Sequence, residues 1–274
     1  MPVYWKALAS VNSAEILAHR IVWSCVFSLF LAAARHRVSD VISLLRSNRR
    51  AVLLLALSGV VMTANWGIYV WAVNDGRILE GSLGYFINPL VSMLFGAVIF
   101  KERLNKIQWL AIGIAAAGVC SEVVALGYLP LVSLGLAFSF GAYGLLKKIS
   151  AVEPLVGFTV ETLLLTPFFL AWLIWRQYSG AAHFSHGAWT TLLLAGTGVV
   201  TSAPLIAFAW GVKRSPMITV GIIQYTSPIL IFITGAVVYN EPVSSVRLFS
   251  FALIWISIAI FTAESLRRAK RAGR

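Results

Sequence analysis

Nine stretches of roughly 20 mainly apolar residues follow one another along this chain, and no other feature limits its fold as tightly. They lie near 14–34, 51–73, 78–100, 107–126, 129–146, 154–175, 188–212, 216–239 and 245–264. At 1.5 Å of rise per residue, each stretch is helix enough to cross about 30 Å of hydrocarbon. A water-soluble core with a wetted shell is excluded, since 59% of residues are hydrophobic, only 12% are charged and the mean hydropathy is +0.85. Ten-residue segments of alternating polarity with aromatic girdles are missing from the sequence, which argues against a β-barrel. The expected class is an all-α integral membrane protein.

In a soluble chain a net charge of +12 would point to nucleic acid, but its placement here reports topology instead. Arg35, Arg37, Arg46, Arg49 and Arg50 lie between the first two stretches. Lys101, Arg103, Lys106, Lys147, Lys148, Lys213 and Arg214 occupy further alternate connections, and five more bases follow the last stretch. The intervening connections hold only Arg77, Arg176 and Arg247, with Lys6 near the start. Such a bias places the basic loops and the carboxyl terminus in the cytoplasm.

Shifted by 139 residues, the chain overlays itself: GYFINPLVSMLFGAVIFKER (84–103) falls on IQYTSPILIFITGAVVYNEP (223–242). Pro89 meets Pro228, Glu102 meets Glu241 and Gly96-Ala97-Val98 meets Gly235-Ala236-Val237. The offset implies five helices per copy, and an odd number sets the second copy upside down. Glutamate is kept in both copies while the flanking bases are lost from Asn240-Glu241-Pro242, as expected of an inverted pair. The expected fold is therefore a bundle of two inverted five-helix repeats, 1–126 and 127–274. Ten transmembrane helices are required. Since MPVYWKALA is too short to span, about two thirds of the first helix is expected to be missing.

Inverted-repeat transporters place solute near the midplane, where weakened helices and polar groups line a path. Asn88-Pro89 and Ser227-Pro228 are the foremost candidates, with packed helix kinks as the competing explanation. Asn65 and Tyr85, together with Gln224 and Tyr225 of the second copy, offer polar and aromatic edges. Glu161, His19 and Arg20 are ionisable residues inside apolar stretches. Adjacent residues point about 100° apart, so His19 and Arg20 cannot both face one cavity, and Glu15 is placed to pair with His19. Lys147 and Lys148 are the obvious cytoplasmic partners for Glu161. Glu122 and Trp71 are expected at an interface, and Gly113 with Ala117 and Gly135 with Ser139 are expected to pack helices.

The segment YWKALASVNSAEILAHRIVWS (4–24), with NWGIYVWAVNDGRILEGSLGYFINPLVSMLFGAVIFKERLNKIQWLAI (65–112), resembles the RarD group of the EamA family, in the drug/metabolite transporter superfamily. This resemblance spans essentially the whole chain. It implies a ten-helix bundle in a bacterial inner membrane that carries a small molecule. No Walker loop, HExxH, GxSxG or paired cysteines are present, so nucleotide-driven pumping and the common hydrolytic chemistries have no support. Cys25 and Cys120 lie in apolar runs, while His183 and His186 have too few companions for a metal site. The expected partners are a small-molecule substrate and the bilayer, with no cofactor, metal or nucleic acid.

Overall fold

The computed structural model describes residues 4–5, 7–8, 10–184, 187–233 and 244–272. Eleven helices are found among them: α1 (Ser13–Ala34), α2 (Val38–Ser47), α3 (Arg49–Asn74), α4 (Ile78–Val98), α5 (Lys106–Leu126), α6 (Leu131–Ile149), α7 (Pro154–Tyr178), α8 (Ala188–Arg214), α9 (Met217–Gln224), α10 (Thr226–Ile233) and α11 (Ser245–Ala272). Seven of these, α1, α3, α4, α5, α7, α8 and α11, contain segments long and apolar enough to cross a membrane. The chain is a multi-pass, all-helical membrane protein.

Helix boundaries follow local chemistry. The Asn12 side chain accepts from the Ala14 N–H at the start of α1. Asn105 and Gln108 form a reciprocal capping box on α5, which ends at Gly127 in the left-handed conformation (φ 78°). Glu153 caps α7, whose first helical residue is Pro154.

Two differences from the sequence reading stand out. The basic connection 35–50 contains a helix, α2, whose Val41 is buried against Leu55, Val156 and Val160. The expected stretch 216–239 is instead interrupted at Tyr225, between α9 and α10, and its last residues lie outside those described. Pro228 weakens the helix there: it has no N–H for the Gln224 carbonyl, and its ring crowds that oxygen. By contrast, α4 passes through Pro89 unbroken. Glu241 and Gly235-Ala236-Val237, which anchored part of the internal comparison, lie outside the described residues, as does His186.

The chain divides into two compact units, each drawing on both repeats. The first comprises Met1–Val70 and Ala142–Arg214. Here α1 packs antiparallel to α7, with Ser28 beside Thr159 and Thr162 at one end and Glu15 beside Arg176 at the other. The second unit comprises Trp71–Gly141 and Ser215–Arg274. In it α5 lies antiparallel to α11, from Asn105 on Glu264, through Ala111 on Ser257, to Gly118 on Ser250. Likewise α4 lies antiparallel to α9, from Gly96 on Ile218 to Asn88 on Gln224. Each of these three pairs joins equivalent helices of the two repeats, as two inverted copies require.

Small residues set the closest approaches, though Gly113 with Ala117 is not among them. The packing face of α5 is Ala111, Ala115 and Gly118. Gly113 and Ala117 are exposed, and a Cβ on Gly113 would meet nothing within 4 Å. Gly84 admits α6: a Cβ there would lie 2.9 Å from Leu136 Cβ. The Ser139 hydroxyl donates to the carbonyl of Gly135 on its own helix. Cys25 is buried, but Cys120 sits on an exposed helix face.

Candidate functional site

In the first unit, the opening two turns of α7 are buried all round, from Pro154 to Thr162. They carry Glu161 into a setting with almost no water. The last turn of α6 supplies its partner: Lys147 Nζ donates to Glu161 Oε2 at 2.6 Å, and the two side chains are 2% and 3% exposed. The ammonium also lies 5.3 Å from the Tyr143 ring centroid and 5.8 Å from that of Phe158. Glu161 Oε1 has no hydrogen-bond partner of normal geometry among the described residues, although the Ser58 hydroxyl lies near the carboxylate. Such an atom is costly in an apolar interior unless something else satisfies it.

Glu161 lines a small cavity, with room for about one water molecule, together with Arg20, Thr63, Trp66, Tyr143 and Thr162 among others. Arg20 Nε donates to Thr201 Oγ1 at 3.1 Å, and its guanidinium lies over Trp66 at 3.9 Å and Trp5 at 4.9 Å. Thr63 Oγ1, also on the cavity wall, has no hydrogen-bond partner among the described residues. Arg20 therefore faces the cavity. His19 turns away from it and stacks on Phe184 at 5.0 Å, with both ring nitrogens lacking a hydrogen-bond partner among the described residues.

The expected Glu15–His19 pair does not form. Glu15 instead accepts from the His183 backbone N–H at 2.6 Å, lies 2.9 Å from His183 Nδ1 and is bridged by Arg176 at 3.1 Å. These partners come from the end of α7 and the connection after it, which sequence spacing does not reveal. Asn65 is buried on α3 in the same unit. Leu8 and Val11, just ahead of α1, pack on Leu194 of α8, and the Tyr4 hydroxyl donates to the Leu193 carbonyl.

The second unit holds the remaining candidates. Asn88 Nδ2 donates to Gln224 Oε1 at 3.5 Å and Ser92 Oγ donates to the same oxygen at 3.0 Å. Asn88 Oδ1 and Gln224 Nε2 are buried without a hydrogen-bond partner among the described residues. The polar group of α4 thus meets Gln224, the last residue of α9, immediately before the break at Tyr225. Tyr225 is fully buried and Pro228 is buried, whereas Tyr85 and Ser227 are exposed. Glu122 remains near the end of α5.

Sequence reasoning did not find the role of Glu102. Its carboxylate accepts from the N–H groups of Met217 at 2.6 Å and Ile218 at 2.9 Å, capping the first turn of α9. A carboxylate at that end also meets the positive pole of the helix. Gly96 makes the approach feasible, because a Cβ there would fall 2.7 Å from Ile218 Cγ1 and 2.8 Å from Glu102 Oε2. The retained glutamate of the first copy thus joins the two repeats, and its recurrence in the repeat alignment was the signal. Lys147 was read only as a topology marker and nominal partner. Its neighbour Lys148 is less buried, and nothing in a Lys-Lys pair says which one turns inward.

The model of the EamA-like transporter family matches this chain twice, over residues 1–121 and 128–263. The chain belongs to the EamA-like transporter family. An uncharacterized transporter of Bacillus subtilis, YojE, is 42% identical over 280 residues, covering 100% of this chain and 92% of that protein. The RarD protein of Salmonella typhi is 40% identical over 266 residues, covering 97% and 90%. A solved crystal structure superposes with a TM-score of 0.71 at 18% identity, covering 96% of this chain and 92% of that one, which shows a common fold. The double match agrees with the two-repeat EamA architecture, and the bacterial relatives agree with a multi-pass inner-membrane protein.

Proposed function

We propose that this EamA-family chain is a secondary transporter that exports or equilibrates small organic molecules, without ATP, by alternating access between its two inverted repeats. The repeats are assigned to 1–126 and 127–274, with the carboxyl terminus and the 35–50 connection in the cytoplasm. The observation that carries the reading is the buried Lys147–Glu161 pair, with Glu161 Oε1 left open on the wall of a cavity shared with Arg20. Ionisable groups within apolar helices are retained at a cost that packing alone does not require, and they commonly mark solute or ion paths.

Glu161, Arg20, Asn65 and Thr63 are assigned to the path in the first unit. Asn88, Pro89, Gln224, Tyr225, Ser227, Pro228 and Tyr85 are assigned to it in the second. His19 is assigned a supporting place beside Arg20, held by its ring stack. The bilayer and a small-molecule solute are the partners.

The test is solute flux in proteoliposomes containing the purified full chain, with no nucleotide on either side. Amino acids, related metabolites and chloramphenicol serve as probes. Saturable flux that is lost in Glu161→Gln, at unchanged folded fraction, supports the reading. Flux that requires internal ATP would overturn it, and chemical modification of a lipid with no solute movement would replace it with an enzymatic one.

A further inference from the structure

The connection between α1 and α3 is not a bare loop. Both flanking helices are membrane-crossing, ending at Ala34 and beginning at Arg49, so α2 is held at the bilayer boundary. One face of α2 is committed to protein: Val41, with Leu44 and Leu45, packs on Leu55, Val156 and Val160. A second face is not. Val38 and Ile42, one turn apart, are 38% and 45% exposed. Bases stand at both ends of this apolar stripe, Arg35 and Arg37 before it and Arg46, Arg49 and Arg50 after it, all exposed. The nearby acid, Asp40, is taken up by Arg37 at 2.8 Å. Arg46, Arg49 and Arg50 form no ion pair with a carboxylate among the described residues.

From this juxtaposition we infer that α2 is an in-plane docking site for anionic phospholipid headgroups, with Arg46, Arg49 and Arg50 holding the phosphodiester and Val38 and Ile42 lying against acyl chains. Amphipathic helices of this composition lie in the interface plane, and clustered bases beside a transmembrane helix attract anionic lipid. Guanidinium suits the role because its planar fork bonds two phosphate oxygens at once. The site is independent of solute transport, so it stands or falls apart from the proposed function.

The test is native mass spectrometry of the full chain in detergent, titrated with phosphatidylglycerol, with phosphatidylcholine and with inorganic phosphate. The unmodified protein is expected to prefer phosphatidylglycerol, and more weakly at 500 mM than at 50 mM salt, since exposed charges are screened. Each base beside a headgroup strengthens its attachment about fivefold. Arg46→Gln/Arg49→Gln/Arg50→Gln should therefore weaken phosphatidylglycerol binding at least about tenfold, so that the preference over zwitterionic phosphatidylcholine is lost, while the melting temperature is unchanged. Ile42→Ser should weaken it with every base in place. A matched control, Lys101→Gln/Arg103→Gln/Lys106→Gln, removes three exposed bases elsewhere and should retain the preference. Equal loss in the control would overturn the site, as would no preference in the unmodified protein, or inorganic phosphate binding as well as the lipid does.

Discussion

Lys147→Met isolates the energetics of the buried pair. The substitution keeps a long, flexible side chain but removes the ammonium that bonds Glu161 at 2.6 Å. Glu161 is 3% exposed, so bulk water does not reach the lost partner's place, and its other oxygen is already without a partner among the described residues. Removing one member of such a pair typically costs about 3–5 kcal/mol, because the remaining charge stays buried. Replacing both members by apolar side chains of similar size is commonly near neutral. Lys147→Met and Glu161→Leu should thus each lose about 3 kcal/mol or more, while Lys147→Met/Glu161→Leu loses about 1 kcal/mol or gains. The coupling between the two sites would then be about 5 kcal/mol or more, above the usual range for interacting neighbours because a buried charge is left unpaired in each single variant. Denaturant unfolding of the detergent-solubilised protein, followed by the fluorescence of its 10 tryptophans, measures all four corners of the cycle. Single losses below about 1 kcal/mol that simply add in the double variant would refute the argument. The double variant should fold yet carry no solute, which separates the pair's structural cost from its use.

Glu102→Ala should cost about 1–3 kcal/mol by orphaning the Met217 and Ile218 N–H groups, with hydrogen exchange at those two amides accelerated before any elsewhere in α9. Gly198→Ala should destabilise by more than about 3 kcal/mol, since its Cβ would sit 2.4 Å from the Trp23 carbonyl oxygen, whereas Gly67→Ala, with nothing within 4 Å, should be neutral or slightly stabilising in the same unfolding assay. Asn88→Leu should lower flux in proteoliposomes while the melting temperature changes little, because Ser92 still donates to Gln224 Oε1. A proportional loss of both would indicate packing alone. In intact cells, an impermeant thiol reagent should label Ser179→Cys but not Ser43→Cys, and the reverse would invert the assigned topology.

The periodicity of apolar runs carried most of the fold, because in lipid a backbone of this length satisfies its hydrogen bonds only as helices. The repeat, too, was legible, since Pro89 with Pro228 and Glu102 with Glu241 kept their register. The helix α2 was hidden: a ten-residue segment flanked by arginines reads as a loop until Val41 is seen buried against α7. Candidate side chains were recognisable by polarity alone, but their partners were not. Glu15 finds Arg176 and His183 more than 160 residues away rather than His19 one turn on, and such pairings depend on tertiary contacts that no local spacing encodes. The break at Tyr225 and the continuity through Pro89 make the same point, since identical prolines in equivalent helices give different backbones.

Access to the cavity from both sides of the membrane tests the transport account most directly. With Cys25 and Cys120 replaced by alanine, Thr63→Cys places a single thiol on the cavity wall beside Glu161 and Arg20. In oriented proteoliposomes the account predicts labelling by an impermeant thiol reagent from either side, with the balance between the two shifted by a transported solute. Labelling confined to one side and indifferent to every solute carried would contradict it.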